Sequence, residues 1–413
     1  MGELRFGMAG LGIGARQVLY GFDVVDGARF TAAADLREDE LTRYEKRFGV
    51  KTFTSVEAMA KSDACDVIWV ATPNNLHAEH AIFAASHGKH VICEKPMATT
   101  MDEADRICEA IEKNGVRYVQ GHSKIYNTFV PAMGEIISSG RIGRPIQITI
   151  VTYNDWTQRP WESHTLDPKR AGGVVYRQGP HQLDMVRYLA GGMARSVRAT
   201  VGAWHPHIEV HGDYSAFFEF ESGVTALATF NGYGSFDTME LTWNRGEGGG
   251  VRAEDQMETS RPRSTGPMPV EEFYDLPEND LDRMLQRGHI ASNSNVTQGN
   301  FFGSMVVSCE RGDMRQHPEG LYLYTERGRE LIRVPAAPGA EMREMVGAIN
   351  EGRLTFPDHH WGRATLECCI GMIESSRRRQ EIDLEYQSPS PVRMPEPLKA
   401  GGSSDLYARN LWR

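Results

Sequence analysis

The stretch Leu4-Arg5-Phe6-Gly7-Met8-Ala9-Gly10-Leu11-Gly12-Ile13-Gly14-Ala15 decides the fold. Its apolar run reads as a strand that passes directly into Gly10-x-Gly12-x-x-Ala15 and then into a helical pattern, the context that a dinucleotide turn requires. Gly10 permits the tight turn, Gly12 lets the backbone approach a pyrophosphate, and Ala15 lets the helix pack closely on the strand. The backbone N–H groups from Ile13 onward are offered to an anion. A glycine-rich turn without a ligand is the bland alternative.

Working outward, short apolar runs at residues 5–9, 29–34, 67–71, 90–93 and 117–119 alternate with amphipathic stretches of helix length. That rhythm predicts βαβ units and a doubly wound parallel sheet over residues 1–121. Val67-Ile68-Trp69-Val70-Ala71 is apolar throughout, as expected where helices cover both faces of a sheet. After Gly121 the rhythm changes. A helix near 131–139 leads into strands at 145–153, 197–203, 214–221 and 224–233, with a short turn at Glu221-Ser222-Gly223. These predict an α+β domain over 122–387 with a large, open, mainly antiparallel sheet. A long loop is expected at about 245–300, then strands near 305–309, 321–324 and 330–334 and two helices between 341 and 379. The tail, 388–413, is read as extended, and its apolar residues near Leu406 and Trp412 suggest docking on another surface.

The bulk composition narrows the function. The chain has 413 residues, 40% hydrophobic and 24% charged, a globular composition long enough for two domains. Forty-five basic against 55 acidic residues give a net charge of −10, which argues against nucleic acid or an anionic membrane as partner. The six cysteines form neither a C-x-x-C pair nor a disulfide ladder and read as reduced thiols. With no secretory signal and no apolar run near ~18 residues, a cytoplasmic protein with a small-molecule partner is expected.

Three further features carry chemistry. Asp35 follows the second apolar strand, where a carboxylate accepts the ribose hydroxyls and repels a 2′-phosphate. Arg37 stands two residues on and offers a phosphate contact, so NAD is favoured over NADP without NADP being excluded. The turn Thr72-Pro73-Asn74-Asn75-Leu76-His77 follows an all-apolar strand, at the sheet edge where such folds hold ligands. Thr72, Pro73 and Asn75 are candidates for the cofactor cleft, although capping and turn formation explain them nearly as well. His77 joins the candidate set but reads more as structural. Glu94-Lys95-Pro96 is delivered by another strand to the same edge. It is either a solvated ion pair or a proton-handling lysine beside its glutamate.

Taken in order, Gly10-x-Gly12, Thr72-Pro73, Glu94-Lys95-Pro96 and His181-x-x-Asp184 resemble the Gfo/Idh/MocA oxidoreductase family over most of the chain. The resemblance implies a Rossmann domain followed by an open-sheet domain, with Lys95 between nicotinamide and substrate hydroxyl and His181 as acid or base. One departure bears on mechanism. Many sugar and polyol members carry an aspartate four residues before the histidine, where this chain has Arg177. A carboxylate there would favour the protonated histidine, whereas an arginine disfavours it. Asp184 lies three residues after His181 and would reach its ring on a helix, or serve the helix surface instead.

Tyr153-Asn154-Asp155, Arg159-Pro160, Leu166-Asp167, Gly172-Gly173-Val174 and Val307-Ser308-Cys309-Glu310-Arg311-Gly312-Asp313 are similar to the phthalate dihydrodiol dehydrogenase subgroup. A carboxylated cyclic diol would give Lys124, Arg159 or Arg177 a purpose, because guanidinium binds carboxylate in bidentate fashion. Surface or interdomain ion pairing accounts for them equally. The expected activity is hydride transfer between NAD(P) and a secondary alcohol of a cyclic substrate, a carboxylated cis-dihydrodiol being one form. A sugar or polyol dehydrogenase is the first alternative and a non-catalytic NAD sensor the second. No metal site is expected, since His205, His207, His211 and the pair His359-His360 lack ligand spacing and read as surface residues. The resemblance also implies a homo-oligomer, a dimer or tetramer.

Overall fold

The computed structural model describes residues 3–121, 123–246, 251, 272, 280–286 and 301–397. Of the loop expected at 245–300 only a few residues fall within this set, and the tail from 398, including Leu406 and Trp412, lies outside it.

The first sheet is all parallel, in the order β3-β2-β1-β4-β5-β6. Its strands are β1 (Leu4–Ala9), β2 (Ala28–Ala34), β3 (Lys51–Phe53), β4 (Val67–Val70), β5 (His90–Cys93) and β6 (Tyr118–Gln120). This is the doubly wound arrangement, whose strand order reverses beside β1 and leaves the ligand crevice at the carboxyl ends of β1 and β4. Every residue of β4 is buried, which is why its sequence shows no alternation. Around the sheet lie α1 (Ile13–Val18), α2 (Glu38–Phe48), α3 (Val56–Lys61), α4 (His77–Ser86) and α5 (Met101–Asn114). Helix α2 begins with Glu38, Asp39 and Glu40 and ends with Lys46 and Arg47 before the left-handed Gly49, each charge matching the helix dipole.

The second sheet has nine strands in the order β14-β13-β12-β11-β7-β10-β9-β8-β15. They are β7 (Pro145–Tyr153), β8 (Ala194–Gly202), β9 (Asp213–Phe220), β10 (Thr225–Asn231), β11 (Ser304–Cys309), β12 (Gly312–His317), β13 (Gly320–Thr325), β14 (Gly328–Arg333) and β15 (Ile382–Asp383). Only the β10–β7 pairing is parallel, so the sheet is mainly antiparallel, as expected. The inward residues of β9, namely Tyr214, Ala216, Phe218 and Phe220, alternate with outward ones, and the inner face is covered by helices. These helices are α6 (Phe129–Ser138), the one-turn α7 (Val174–Arg177), α8 (Gly179–Ala190) and part of α10 (His359–Arg378).

Two C-terminal helices complicate the division at residue 121. Helix α9 (Ala340–Glu351) buries Met342, Met345 and Val346 in one cluster with Phe6, Met8 and Leu11, so it belongs to the first domain's core. Helix α10 joins both domains. Near its start Arg363 pairs with Asp105 of α5 at 2.9 Å, and near its end Ser375 accepts the Ala199 amide of β8 at 2.8 Å. Apolar periodicity predicts that a helix has a buried face but not which sheet buries it. No helix among the described residues is long and apolar enough to cross a membrane. The six cysteines are free and buried.

Candidate active site

The glycine turn leaves β1 with Gly10 at φ 85°, and a Cβ there would lie 2.7 Å from the Ala71 carbonyl oxygen. Both facts require glycine. Gly12 is the N-cap of α1 and contributes no side-chain cap, so the first N–H groups of the short helix are capped by no side chain of that residue. A Cβ on Gly14 would touch the Glu94 side chain at 3.7 Å, which places the turn directly over the strand that carries the Glu-Lys-Pro motif.

Asp35 ends β2 beside this turn. Its Oδ2 accepts the Leu11 amide at 2.8 Å, and its Oδ1 accepts the Arg37 amide at 2.9 Å. The Arg37 guanidinium adds Nε to Oδ1 and Nη2 to Oδ2, both at 3.0 Å. Burial works to raise the Asp35 pKa, but the Arg37 and Leu11 contacts outweigh it and hold the carboxyl below its ordinary value. Arg37 is thus engaged with Asp35.

The Thr72 turn closes the crevice on the other side. Thr72 Oγ1 meets His80 Nδ1 at 2.9 Å, and Asn75 Oδ1 is buried without a hydrogen-bond partner. A positive-φ cradle, a carboxylate beside it and an orphaned amide oxygen at one sheet edge fit a dinucleotide. The contacts of His77 support its structural reading. It is buried, with Nδ1 2.7 Å from the Pro96 carbonyl and Nε2 2.7 Å from the Thr72 carbonyl, a strut between two turns. Burial pushes its pKa down to about 4, against the pull of both carbonyls.

Lys95 leaves β5 at the same edge and donates from Nζ to the Arg177 carbonyl at 3.1 Å. That bond crosses from the first domain to the end of α7. Arg177 Nη1 donates to Asn74 Oδ1 at 3.2 Å, and Asn74 Nδ2 donates to the Ala171 carbonyl at 3.1 Å. His181, in the first turn of α8, is buried with its ring 5.0 Å from that of Phe302. The arginine that replaces the expected aspartate thus sits at the domain junction, its carbonyl on the lysine and its guanidinium on the Thr72 turn.

Three expected substrate contacts need correction or refinement. Asp184 does not orient His181. Its Oδ2 accepts Ser123 Oγ at 2.7 Å, and its Oδ1 accepts Trp361 Nε1 at 3.0 Å and Thr365 Oγ1 at 2.6 Å. It is a fully enclosed hub joining α8, α10 and the segment after β6. Burial raises its pKa more than these donors lower it. Lys124 is buried, and its charge lowers the pKa of Glu341. Arg159 donates from Nε to the buried Asp155 at 2.7 Å, the ion-pair reading that its residue type allowed.

Sequence reasoning missed Asn74, Trp69 and Glu341. Trp69 Nε1 donates to Glu94 Oε1 at 3.2 Å from the neighbouring strand. Glu341, at the start of α9, is buried, and burial followed by the nearby Glu94 pushes it up to about 7 against Lys124. The signal was a glutamate at the head of an apolar helix, which first-turn acidity alone explains equally well. The surface reading of the histidines also fails in part: His205 is buried, and His359 with His360 converges on Glu112.

Residues 4–122 match a family model described as an oxidoreductase family with an NAD-binding Rossmann fold, and 130–247 match the GFO/IDH/MocA C-terminal domain. Together these spans exceed half of the chain. The 1-carboxy-3-chloro-3,4-dihydroxycyclohexa-1,5-diene dehydrogenase of Comamonas testosteroni is 29% identical over 394 residues, which are 91% of this chain and 95% of the relative. A myo-inositol 2-dehydrogenase from Thermotoga maritima is 29% identical over 190 residues, 46% of this chain and 55% of that protein. A crystal structure from Bordetella bronchiseptica RB50, described only provisionally as a dehydrogenase, superposes with a TM-score of 0.79 at 28% identity. It covers 92% of this chain and 100% of its own.

Proposed function

The chain belongs to the Gfo/Idh/MocA family of NAD(P)-dependent oxidoreductases, and from that premise we propose that it oxidises a secondary alcohol of a carboxylated cyclic cis-dihydrodiol, with NAD as preferred acceptor. The observation that carries this reading is the junction where Lys95 of the first domain is held on the carbonyl of Arg177 in the second. A bound nicotinamide supplies the hydride acceptor. The carbinol carbon gives up the hydride and the hydroxyl gives up its proton, leaving a carbonyl.

Lys95, as a fixed ammonium donor, lowers the cost of negative charge on that oxygen and orients it. His181 takes the proton, since a lysine already donating to a carbonyl is a poor base. Arg177 recognises a carboxylate on the ring beside the reacting carbon. Asp35 accepts the ribose hydroxyls, the basis for preferring NAD. The name of the Comamonas relative, a dihydroxycyclohexadiene bearing a carboxyl, supports this substrate class. The inositol relative supports a neutral polyol as the second reading. Buried free cysteines accord with a cytoplasmic enzyme, and we further infer that it works as a homo-oligomer.

The test is a panel of cyclic cis-diols with and without a ring carboxylate, alongside sugars and polyols, with reduced cofactor followed by absorbance. Carboxylated diols are expected to give the highest kcat/KM. Arg177→Ala should raise their KM roughly ten- to a hundredfold while leaving neutral diols nearly unchanged, the scale of one lost charge-assisted contact. A preference for neutral polyols, or equal effects on both classes, overturns the assignment.

A further inference from the structure

We propose that Glu112, His359 and His360 form a divalent transition-metal site of zinc type that clasps α5 to the head of α10. The three residues take no part in the cofactor and substrate constellation. Glu112 lies in the last turn of α5, and the histidines are the first two residues of α10, after its N-cap Asp358. Both imidazoles aim Nε2 at the same carboxylate oxygen, His359 at 3.5 Å and His360 at 3.2 Å from Glu112 Oε1. The three donor atoms lie within 4.8 Å of one another. Zinc bonds of about 2.0–2.1 Å to nitrogen and oxygen hold tetrahedral ligand atoms roughly 3.3 Å apart, so the measured spacing suits one ion between them. Two histidines and a glutamate form a donor set that zinc accepts, with one position left for water.

A second observation concerns His359. Its side chain is only 13% exposed, its ring packs edge-on against Tyr118 at 6.2 Å, and its Nε2 is buried without a hydrogen-bond partner. A simple ion pair does not explain the arrangement well. The rings are 4.2 Å apart at the N-terminus of a 20-residue helix, where two imidazolium charges repel each other and oppose the helix dipole. A single carboxylate oxygen then serves both rings. A bound cation gives all three groups one partner, and the carboxylates of Glu112 and Asp358 offset its charge. The clasp would lie near the Arg363–Asp105 pair, on the same contact between α5 and α10.

The test uses tag-free full-length protein, stripped with a chelator and then titrated with Zn²⁺ or Co²⁺. About one ion per chain is expected by elemental analysis, with visible cobalt bands of a tetrahedral nitrogen–oxygen site. The thermal midpoint should rise with free metal, as binding to the native state alone requires. His360→Ala and Glu112→Gln change partly exposed side chains, 41% and 55%, and circular dichroism checks that both remain folded. Each variant should lose the cobalt bands and the metal-dependent midpoint shift. Absence of stoichiometric uptake, or uptake unchanged in both variants, overturns the site.

Discussion

Arg37 and Asp35 show how much a single pair decides. A guanidinium two residues from the ribose-binding carboxylate reads in sequence as a phosphate contact, but in the fold it closes on that carboxylate with two side-chain bonds. The carboxylate is thereby held below its ordinary pKa, and under the proposed preference for NAD it would repel a 2′-phosphate. Asp35→Ser should remove the repulsion and release Arg37 together. The expected outcome is a fall of roughly ten- to a hundredfold in kcat/KM with NAD and a rise with NADP, the size of one or two lost charge-assisted bonds. Steady-state kinetics with both cofactors check it, and an unchanged preference refutes it. Lys95 sits at the same scale. Lys95→Ala removes the donor at the reacting oxygen and should lower kcat by roughly a hundredfold or more. Cofactor binding, followed by quenching of protein fluorescence, should stay within a few-fold; full turnover in that variant removes Lys95 from the chemistry.

At the scale of elements, α9 brings a carboxyl group behind the Glu-Lys-Pro strand. Glu341 has an ordinary value of 4.5 and is pushed up to about 7, chiefly by burial. A folded-state pKa raised above the unfolded value means stability that is fully present below about 4.5 and is lost as pH rises through about 7. Glu341→Gln should abolish that component, so the variant gains on the wild type in urea midpoint as pH climbs through this window. Parallel pH profiles would show that Glu341 does not carry the shift. The same element explains what the sequence left illegible. Strand–glycine–helix context fixed the first sheet because backbone sterics admit few alternatives at Gly10, and the motif residues Asp35, Thr72, Lys95 and His181 were legible on those grounds or by resemblance. Strands β3 and β12 were missed: β3 has three residues at a sheet edge, and Gly312-Asp313-Met314-Arg315-Gln316-His317 has one strongly apolar member. Asp184 and His77 have the residue types of a site, but Asp184 is held by the side chains of Ser123, Trp361 and Thr365, and His77 by the Thr72 and Pro96 carbonyls. Local spacing carries no information about such partners.

Across the whole molecule, the nine-stranded sheet is asymmetric. Its inner face is covered by α8 and α10, while on the other face Leu227 and Val306 stay exposed at 41% and 39%. Register places Leu227 of β10 beside Thr149 of β7, and Thr149 beside Val306 of β11, so one row crosses three central strands. Alternation would ordinarily put polar residues on a solvated face. A partly apolar row at the centre of a large open sheet suits a second copy of the same sheet, because an isologous contact buries the same patch on both subunits. In the homo-oligomer proposed above, Leu227→Asp would bury an uncompensated charge on each side of such a contact. The expected outcome is a wild type that assembles and a variant that is monomeric at micromolar concentration, read by light scattering, with the secondary structure retained because the side chain points away from the core. A monomeric wild type, or an assembly that tolerates aspartate at this position, would locate the contact elsewhere and leave the exposed row without a partner.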